Sequence, residues 1–213
     1  VGGGGGRLPN GAGSGAGLAG AVGADRVLGG VADIFSSVGE PGLIEHTGGP
    51  ARLVFGELDG QPSQRTERLL QACQEAGIES EVASNIRAVL WSKFAFICAT
   101  AGMTAATRLP LGDIRGTPAS WDMFARVIEE VVELGRSEGI PLGGDVCAQL
   151  MALAAGLESH SYSSLHHDLV TGHRMELEAL HGTVVARARR LNLAVPSCEA
   201  INAILQPWAR RNA

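Results

Sequence analysis

The pattern of apolar and polar residues changes near Val82, and the two parts of the chain predict different architectures. Before Val82 short apolar and β-branched runs are separated by glycine and proline, which favours strands. These runs are Arg26–Phe35, Gly42–Thr47 and Arg52–Gly56. Apolar residues then recur at helical spacing over Thr66–Ala76, and Gly77 ends that helix. The first part therefore has the character of an α/β domain.

After Val82 the apolar residues recur mainly at helical spacing, which predicts an all-α part. Ser84 is the expected N-cap of an apolar helix that carries Lys93, and Thr117-Pro118 has the residue types that cap and start a helix. The helix that starts at Thr117-Pro118 is predicted to run to about Glu138. Three further helices are predicted over Val146–Leu157, over Ser163–Leu191 as one long helix, and over Cys198–Trp208. We place the domain boundary at residues 82/83.

The composition indicates a globular protein and argues against nucleic acid as a partner. The 213 residues are 45% hydrophobic and 18% charged, with a net charge of −5, which are values of a globular protein. No basic stripe is present, so nucleic acid is not an expected partner. The four cysteines are widely separated, which indicates a protein of the reducing cytoplasm without disulfides or a zinc site: Cys73, Cys98, Cys147 and Cys198.

Lys93 is the first candidate catalytic residue, because it lies within Trp91-Ser92-Lys93-Phe94-Ala95-Phe96. The surrounding apolar run, residues 88–106, is almost long enough to span a bilayer. A lysine inside it favours a buried helix of a soluble protein, with no membrane partner. A desolvated lysine can donate a proton to a developing alkoxide. The alternative is a lysine whose stem covers apolar surface while its ammonium reaches water.

Three polar residues of the predicted long helix form a second candidate group. Ser164, Asp168 and Glu176 would spread over about 120° of helix surface, with Gly172 on the same side. Such a face can form a polar groove that a ligand approaches closely at the glycine. The alternative is an ordinary solvated helix face.

Two further patterns are considered and set aside. The histidines at 166, 167, 173 and 181 do not show the spacing of a helical zinc motif, so we expect surface or partly buried histidines and no metal. Residues 11–16 formally match the dinucleotide fingerprint GxGxxA, but no convincing strand precedes them. We therefore do not interpret them as a pyrophosphate-binding turn.

Six motifs in order resemble ketopantoate reductases (2-dehydropantoate 2-reductases), and the resemblance extends from about residue 7 to residue 208. They are Leu8-Pro9-Asn10-Gly11, Arg26-Val27-Leu28-Gly29-Gly30-Val31, Ile44-Glu45-His46-Thr47-Gly48, Leu90-Trp91-Ser92-Lys93, Ser164-Leu165-His166-His167-Asp168 and residues 174–182. The resemblance implies an α/β plus all-α fold. Residues 1–82 would be the second half of a Rossmann-type NADP-binding domain. Residues 83–213 would be a helical C-terminal domain of the 6-phosphogluconate dehydrogenase C-terminal-like type that binds substrate.

The resemblance also implies a role for each candidate residue and an active site between the two domains. Lys93 would be the general acid toward the C2 oxygen while hydride arrives from the nicotinamide. Glu176 would pair with Lys93 and contact the pocket of cofactor and substrate. Ser164 and Asp168 would bind the ketopantoate carboxylate and hydroxyl side, Ser164 directly and Asp168 by ordering the site. Asn10 would lie beside the nicotinamide.

The chain departs from the family pattern in two places. Ile97 and Ala101 occupy positions where the family often has asparagines, which predicts a more apolar pocket with relaxed specificity. The family also begins with a βαβ unit carrying GxGxxG, and this chain starts after that unit, so we expect a protein truncated at its N-terminus. Its substrate and its preference for NADPH over NADH stay open.

The leading hypothesis is an NADPH-dependent oxidoreductase that reduces ketopantoate to pantoate in pantothenate and coenzyme A synthesis, or reduces a related 2-oxoacid. The expected partner is a small 2-oxoacid, and a homodimer is an open possibility. The alternative is a non-catalytic helical module that dimerises or binds a small acid. A metal-binding protein built on the histidines is a third, weaker hypothesis.

Overall fold

The structure is a computed structural model that describes residues 26–212, together with Gly20 and Gly23. These residues form two compact units that divide between Leu90 and Trp91. The strands are β1 (Leu28–Val38), β2 (Ile44–Glu57) and β3 (Ser80–Val82). The helices are α1 (Gln64–Glu75), α2 (Ile86–Thr107), α3 (Leu111–Gly116), α4 (Pro118–Ser137), α5 (Val146–Gly156), α6 (Ser164–Thr171), α7 (Thr183–Arg190) and α8 (Pro196–Arg211). An α/β part followed by a helical part is as predicted.

The first unit is built on a three-stranded sheet in the order β1–β2–β3. β1 pairs with β2 antiparallel, with Val31 opposite Val54, and β2 pairs with β3 in parallel. Because α1 connects these two parallel strands, β2, α1 and β3 form one βαβ unit. The two runs predicted at 42–47 and 52–56 are one strand, which contains Ala51 in a left-handed conformation (φ 52°).

The core of the first unit forms where the sheet meets the start of α2. Val54, Ala83 and Ile86 are buried there, and Leu58, Val89 and Leu90 pack against them. Gly29 of β1 permits this approach, since a Cβ at that position would lie 2.7 Å from Cγ1 of Ile86. The glycine is therefore required by packing.

The second unit packs its helices around α4. The apolar side of α4 is fully buried, as expected for apolar residues at helical spacing. It consists of Phe124, Val127, Ile128, Val131, Val132 and Leu134. The indole of Trp91 lies against Gly135, and its Nε1 donates a hydrogen bond of 2.8 Å to the carbonyl of Val131. This contact fixes α2 on α4.

The structure corrects the prediction of one long helix over Ser163–Leu191. Helix α6 ends at Thr171 because Gly172 adopts a left-handed conformation (φ 75°) and donates its N–H to the carbonyl of Asp168. Residues 173–177 are not regular, and a π-helical turn, Glu178–Gly182, leads into α7. Glycine at the C-terminal cap of a helix ends it at little conformational cost.

Two smaller predictions about helices also change. The N-cap of α2 is Asn85 and not Ser84, because the side-chain oxygen of Asn85 accepts the N–H of Ala88 at 3.0 Å. The short helix α3 was not predicted. Among the described residues, α2 alone has the length and apolar content of a membrane-spanning helix, and 56% of that stretch is buried inside the protein.

Candidate active site

Lys93 lies half-buried on α2, on a turn whose neighbours are tightly held. Trp91 and Phe94 are buried and pack edge to face, with ring centroids 5.9 Å apart. The guanidinium of Arg187 lies 5.2 Å from the Trp91 ring, and Glu138 binds that guanidinium through two hydrogen bonds of 2.6 Å. A planar guanidinium paired in this way keeps one orientation. The backbone that carries Lys93 is therefore fixed from two sides.

Lys93 is also the only lysine among the 17 basic residues of the sequence, the others being arginines. An arginine is always protonated, whereas a lysine ammonium can lose its proton when its surroundings favour that. A lysine at this one position is consistent with a requirement for an exchangeable proton.

Ser164 and Asp168 share one face of α6, four residues apart. Ser164 is exposed and Asp168 half-buried. The preceding residue, Ser163, caps the helix by accepting the N–H of His166 at 3.1 Å, and its hydroxyl lies 2.7 Å from that of Thr104 on α2. This hydrogen bond attaches the start of α6 to α2, about 16 Å further along the helix axis than Lys93.

Glu176 does not lie on one helix face with Ser164 and Asp168, which corrects the predicted groove. It is exposed, in the segment between α6 and the π-helical turn. The break at Gly172 changes the direction of the chain before Glu176 is reached. Asn10 lies outside the described residues.

Ile97 and Ala101 follow Lys93 at intervals of four residues, and so lie along the same side of α2. Ile97 is half-buried, and Ala101 is 2% exposed. The side of α2 that continues from Lys93 is therefore apolar, as the sequence predicts.

His181 is buried, so the expectation that it is a surface or partly buried histidine is wrong. It is 0% exposed in the π-helical turn, and neither ring nitrogen has a hydrogen-bond partner among the described residues. Burial lowers the pKa of His181 to about 4, so the ring is neutral near pH 7. A Cβ on Gly102 of α2 would lie 2.5 Å from its Nε2. A glycine inside an apolar helix was the available signal for this close approach.

Metal ligation is not supported by the described part of the chain, which contains no group of three or more His, Cys, Asp or Glu side chains placed to hold an ion. A groove of about 470 Å³ lies between the end of β2 and the start of α1. In an α/β sheet this position commonly receives a phosphate group. Here Glu57 lies in the groove, and hydrogen bonding from Arg65 lowers its pKa to about 2. An ionised carboxylate that already engages the arginine does not suit a pyrophosphate.

Comparison with known proteins identifies the family. A family model described as the C-terminal part of ketopantoate reductase PanE/ApbA matches residues 85–208. The chain belongs to this family. Residues 85–208 contain α2 with Lys93 and α6 with Ser164 and Asp168.

Individual members of the ketopantoate reductase family support this result. The chain is 33% identical to the uncharacterized oxidoreductase YkpB of Bacillus subtilis, over 86% of this chain and 61% of that protein. It is also 33% identical to 2-dehydropantoate 2-reductase of Halobacterium salinarum, over 89% of this chain and 62% of that protein. The chain thus spans about three fifths of the length of these curated relatives.

A solved structure gives the same result at the level of the fold. The crystal structure of 2-dehydropantoate 2-reductase from Methylococcus capsulatus superimposes with a TM-score of 0.84 at 26% identity, over 96% of this chain and 69% of that one. The fold of the ketopantoate reductase family, part of a Rossmann-type domain followed by a helical domain, is therefore the fold of this chain.

Proposed function

We propose that the protein containing this chain catalyses the NADPH-dependent reduction of ketopantoate to pantoate, or of a related 2-oxoacid. The observation that carries the proposal is the position of the sequence's only lysine, half-buried on an apolar helix within the region that matches the ketopantoate reductase family. The reaction would occur in the cytoplasm and supply pantothenate and coenzyme A synthesis. A homodimer is part of the proposal.

Lys93 is proposed to act as the general acid. Reduction of a ketone at C2 places negative charge on the C2 oxygen, and an ammonium within hydrogen-bond reach stabilises that charge and then donates the proton. The side chain that transfers the proton needs a fixed position. The contacts of Trp91 with Val131 and Arg187 provide one, because they fix the helical turn of Lys93.

Three more residues, Ser164, Asp168 and Glu176, are proposed to form the substrate-binding site with Lys93. The exposed hydroxyl of Ser164 would donate a hydrogen bond to the substrate carboxylate, and Asp168 would order the site. Glu176 would pair with Lys93 and contact the pocket. Glu176 lies in the non-helical segment between α6 and the π-helical turn.

We expect this protein to accept less polar substrates than family members whose pockets contain asparagine side chains. Ile97 and Ala101 continue the face of α2 that carries Lys93 and offer no hydrogen bond. A site that lacks such donors discriminates weakly for substrate hydroxyl groups. We therefore propose that 2-oxoacids with an apolar branch in place of the ketopantoate hydroxyl are also substrates.

The cofactor is proposed to be NADPH on the basis of the family resemblance. The βαβ unit among the described residues does not fit a pyrophosphate, since Glu57 occupies its groove. Asn10, proposed to lie beside the nicotinamide, is outside the described residues.

The test is NADPH oxidation with ketopantoate and with 2-oxoisovalerate, using the full gene product. The DNA in frame before Val1 is read first, because the chain spans about 61% of the Bacillus relative. An open frame encoding a strand, GxGxxG and a helix supports the proposal. A stop codon there favours the non-catalytic module that dimerises or binds a small acid.

Replacing Lys93 tests its role. Lys93→Arg keeps the positive charge but cannot release a proton at neutral pH, so we expect kcat to fall by about 10²-fold or more with little change in KM. Arg87→Gln, an exposed change on the same helix, is the control and should keep full activity. Full activity of Lys93→Arg would exclude Lys93 as the proton donor.

A further inference from the structure

Arg108 has an unusual backbone conformation directly after α2. Its φ is 59°, in the left-handed region, where glycine or asparagine normally ends a helix. A residue with a long side chain adopts this conformation at a cost of conformational energy. An exposed arginine at this position therefore suggests that its guanidinium has a role beyond ending the helix.

The guanidinium groups of Arg108 and of a second arginine, Arg211, both lie near the ring of Trp208. The Cζ atom of Arg108 lies 4.4 Å from the ring centroid, and that of Arg211 lies 5.8 Å from it. The two cations are therefore within roughly 10 Å of each other. None of the ion pairs of the described residues involves either arginine.

His166 of α6 borders the surface formed by these two arginines. The pKa of His166 is lowered, first by burial and then by the charges of His167 and Arg108. Arg108 is thus close to α6, and Tyr162 stacks on the His166 ring at 4.2 Å. The acid on α6, Asp168, is two residues from His166 and so faces away from it.

We propose that this surface, which we call the Trp208 cluster (Arg108, His166, His167, Trp208 and Arg211), binds the phosphate group of a small phosphorylated molecule. Two permanent cations suit a dianion better than a monoanionic carboxylate, and a guanidinium can bind two phosphate oxygens at once. Both guanidinium groups are attracted to the face of the same aromatic ring, since their Cζ atoms lie 4.4 and 5.8 Å from its centroid. Lys93 is 15 residues earlier on α2, about 22 Å along the helix, so the cluster is distant from the proposed proton donor, while His166 and His167 lie on the same helix as Ser164 and Asp168.

The proposal predicts a signal from one histidine. Phosphate bound beside Arg108 would offset the positive charges near His166, and would therefore raise the pKa of His166. We would follow the His166 ring proton by NMR during pH titrations, with inorganic phosphate as the probe and ionic strength held constant with chloride. Acetate, a monoanion, is the second titrant.

Arg108→Gly is the decisive variant, because glycine suits the left-handed backbone and folding is expected to be retained. Arg126→Gln removes an exposed arginine of α4 and is the charge-matched control. We expect saturable phosphate binding in the native protein and in Arg126→Gln, at least tenfold weaker binding in Arg108→Gly, and little response to acetate.

Three results would overturn the proposal. They are no saturable shift of His166 with phosphate, an equal response to acetate and phosphate, and unchanged binding in Arg108→Gly. The readout uses no catalysis, so a failure of the proposed reductase activity leaves this test intact, and the reverse is also true.

Discussion

At the scale of single residues, His181 predicts a loss of stability in mild acid. Its pKa is lowered to about 4 by burial, from a value of 6.5. Between these values the unfolded chain binds a proton that the folded protein excludes, so the free energy of unfolding falls as the pH decreases. Between pH 7 and pH 5 this contribution is about 2 kcal/mol.

The measurement is urea unfolding at both pH values for the native protein and for His181→Leu. Leucine fills a similar volume without a titrating group, so the variant should lose about 2 kcal/mol less than the native protein over the same interval. His160→Asn is the control, because His160 is exposed. Equal pH dependence of the native protein and His181→Leu would show that His181 is not the responsible group.

The sequence indicates some of these residues and not others, for physical reasons. The long apolar run around Lys93 predicts a helix from its composition and length alone, and the structure contains that helix as α2. His181 has no local signal of burial, since its environment comes from Gly102 about 80 positions away. Periodicity describes neighbours within one element, whereas contacts between elements depend on their packing.

At the scale of elements, the same limit explains the predicted long helix. Leucines continue at helical spacing through Gly172, and the pattern does not reveal whether a glycine is helical or left-handed. In the structure its φ is 75°, and no atom lies within 4 Å of a Cβ placed there. The end of α6 therefore depends on backbone conformation alone.

Gly172→Ala should destabilise the protein by about 1 kcal/mol, because alanine is strained in the left-handed region. Gly144→Ala is the matched control, since Gly144 also has open space for a Cβ and does not have a positive φ. The check is the midpoint of thermal unfolding of both variants. Equal midpoints would mean that the chain adapts around residue 172 without cost.

Helix α8 depends on a cap that comes from another helix. Its N-cap residue, Val195, has no side-chain acceptor. The carboxylate of Glu130 on α4 instead accepts the N–H groups of Ser197 and Cys198 at 2.8 and 2.9 Å. This pairing satisfies donors that would otherwise be unpaired at the start of the helix.

Glu130→Gln should lower the free energy of unfolding by about 1–3 kcal/mol, because the amide nitrogen of glutamine cannot accept a hydrogen bond. Glu129→Gln, the exposed neighbour on α4, is the control and should change it little. Chemical denaturation of the two variants measures the difference. A similar effect in both would point to net charge and not to the cap.

At the scale of the whole molecule, the two compact units have separate cores. The sheet, α1 and the start of α2 surround Val54 and Ile86, whereas the second unit is built on α4. The order of an α/β part and a helical part follows from the sequence, because the period of the apolar pattern changes. Separate cores predict that one unit can be loosened without the other.

Glu57 offers the means to test this independence. Its carboxylate accepts hydrogen bonds from Nε of Arg65 at 2.6 Å and from the Ser63 hydroxyl at 2.5 Å, which joins the end of β2 to the start of α1. The hydrogen bond from Arg65 lowers the pKa of Glu57 from 4.5 to about 2. The stabilisation is therefore complete above about pH 4.5 and is lost as the pH falls toward 2.

Glu57→Gln should accelerate hydrogen exchange of the backbone amides of β2 and α1 and leave those of α4 unchanged, because it removes the charged partner of Arg65 within the first unit only. Glu79→Gln, an exposed carboxylate of the same unit, is the control for loss of charge. Equal acceleration in α4 would show that the two units unfold together. Acceleration confined to β2 and α1 would mean that the helical unit, which carries Lys93, Ser164 and Asp168, keeps its structure when the sheet is loosened.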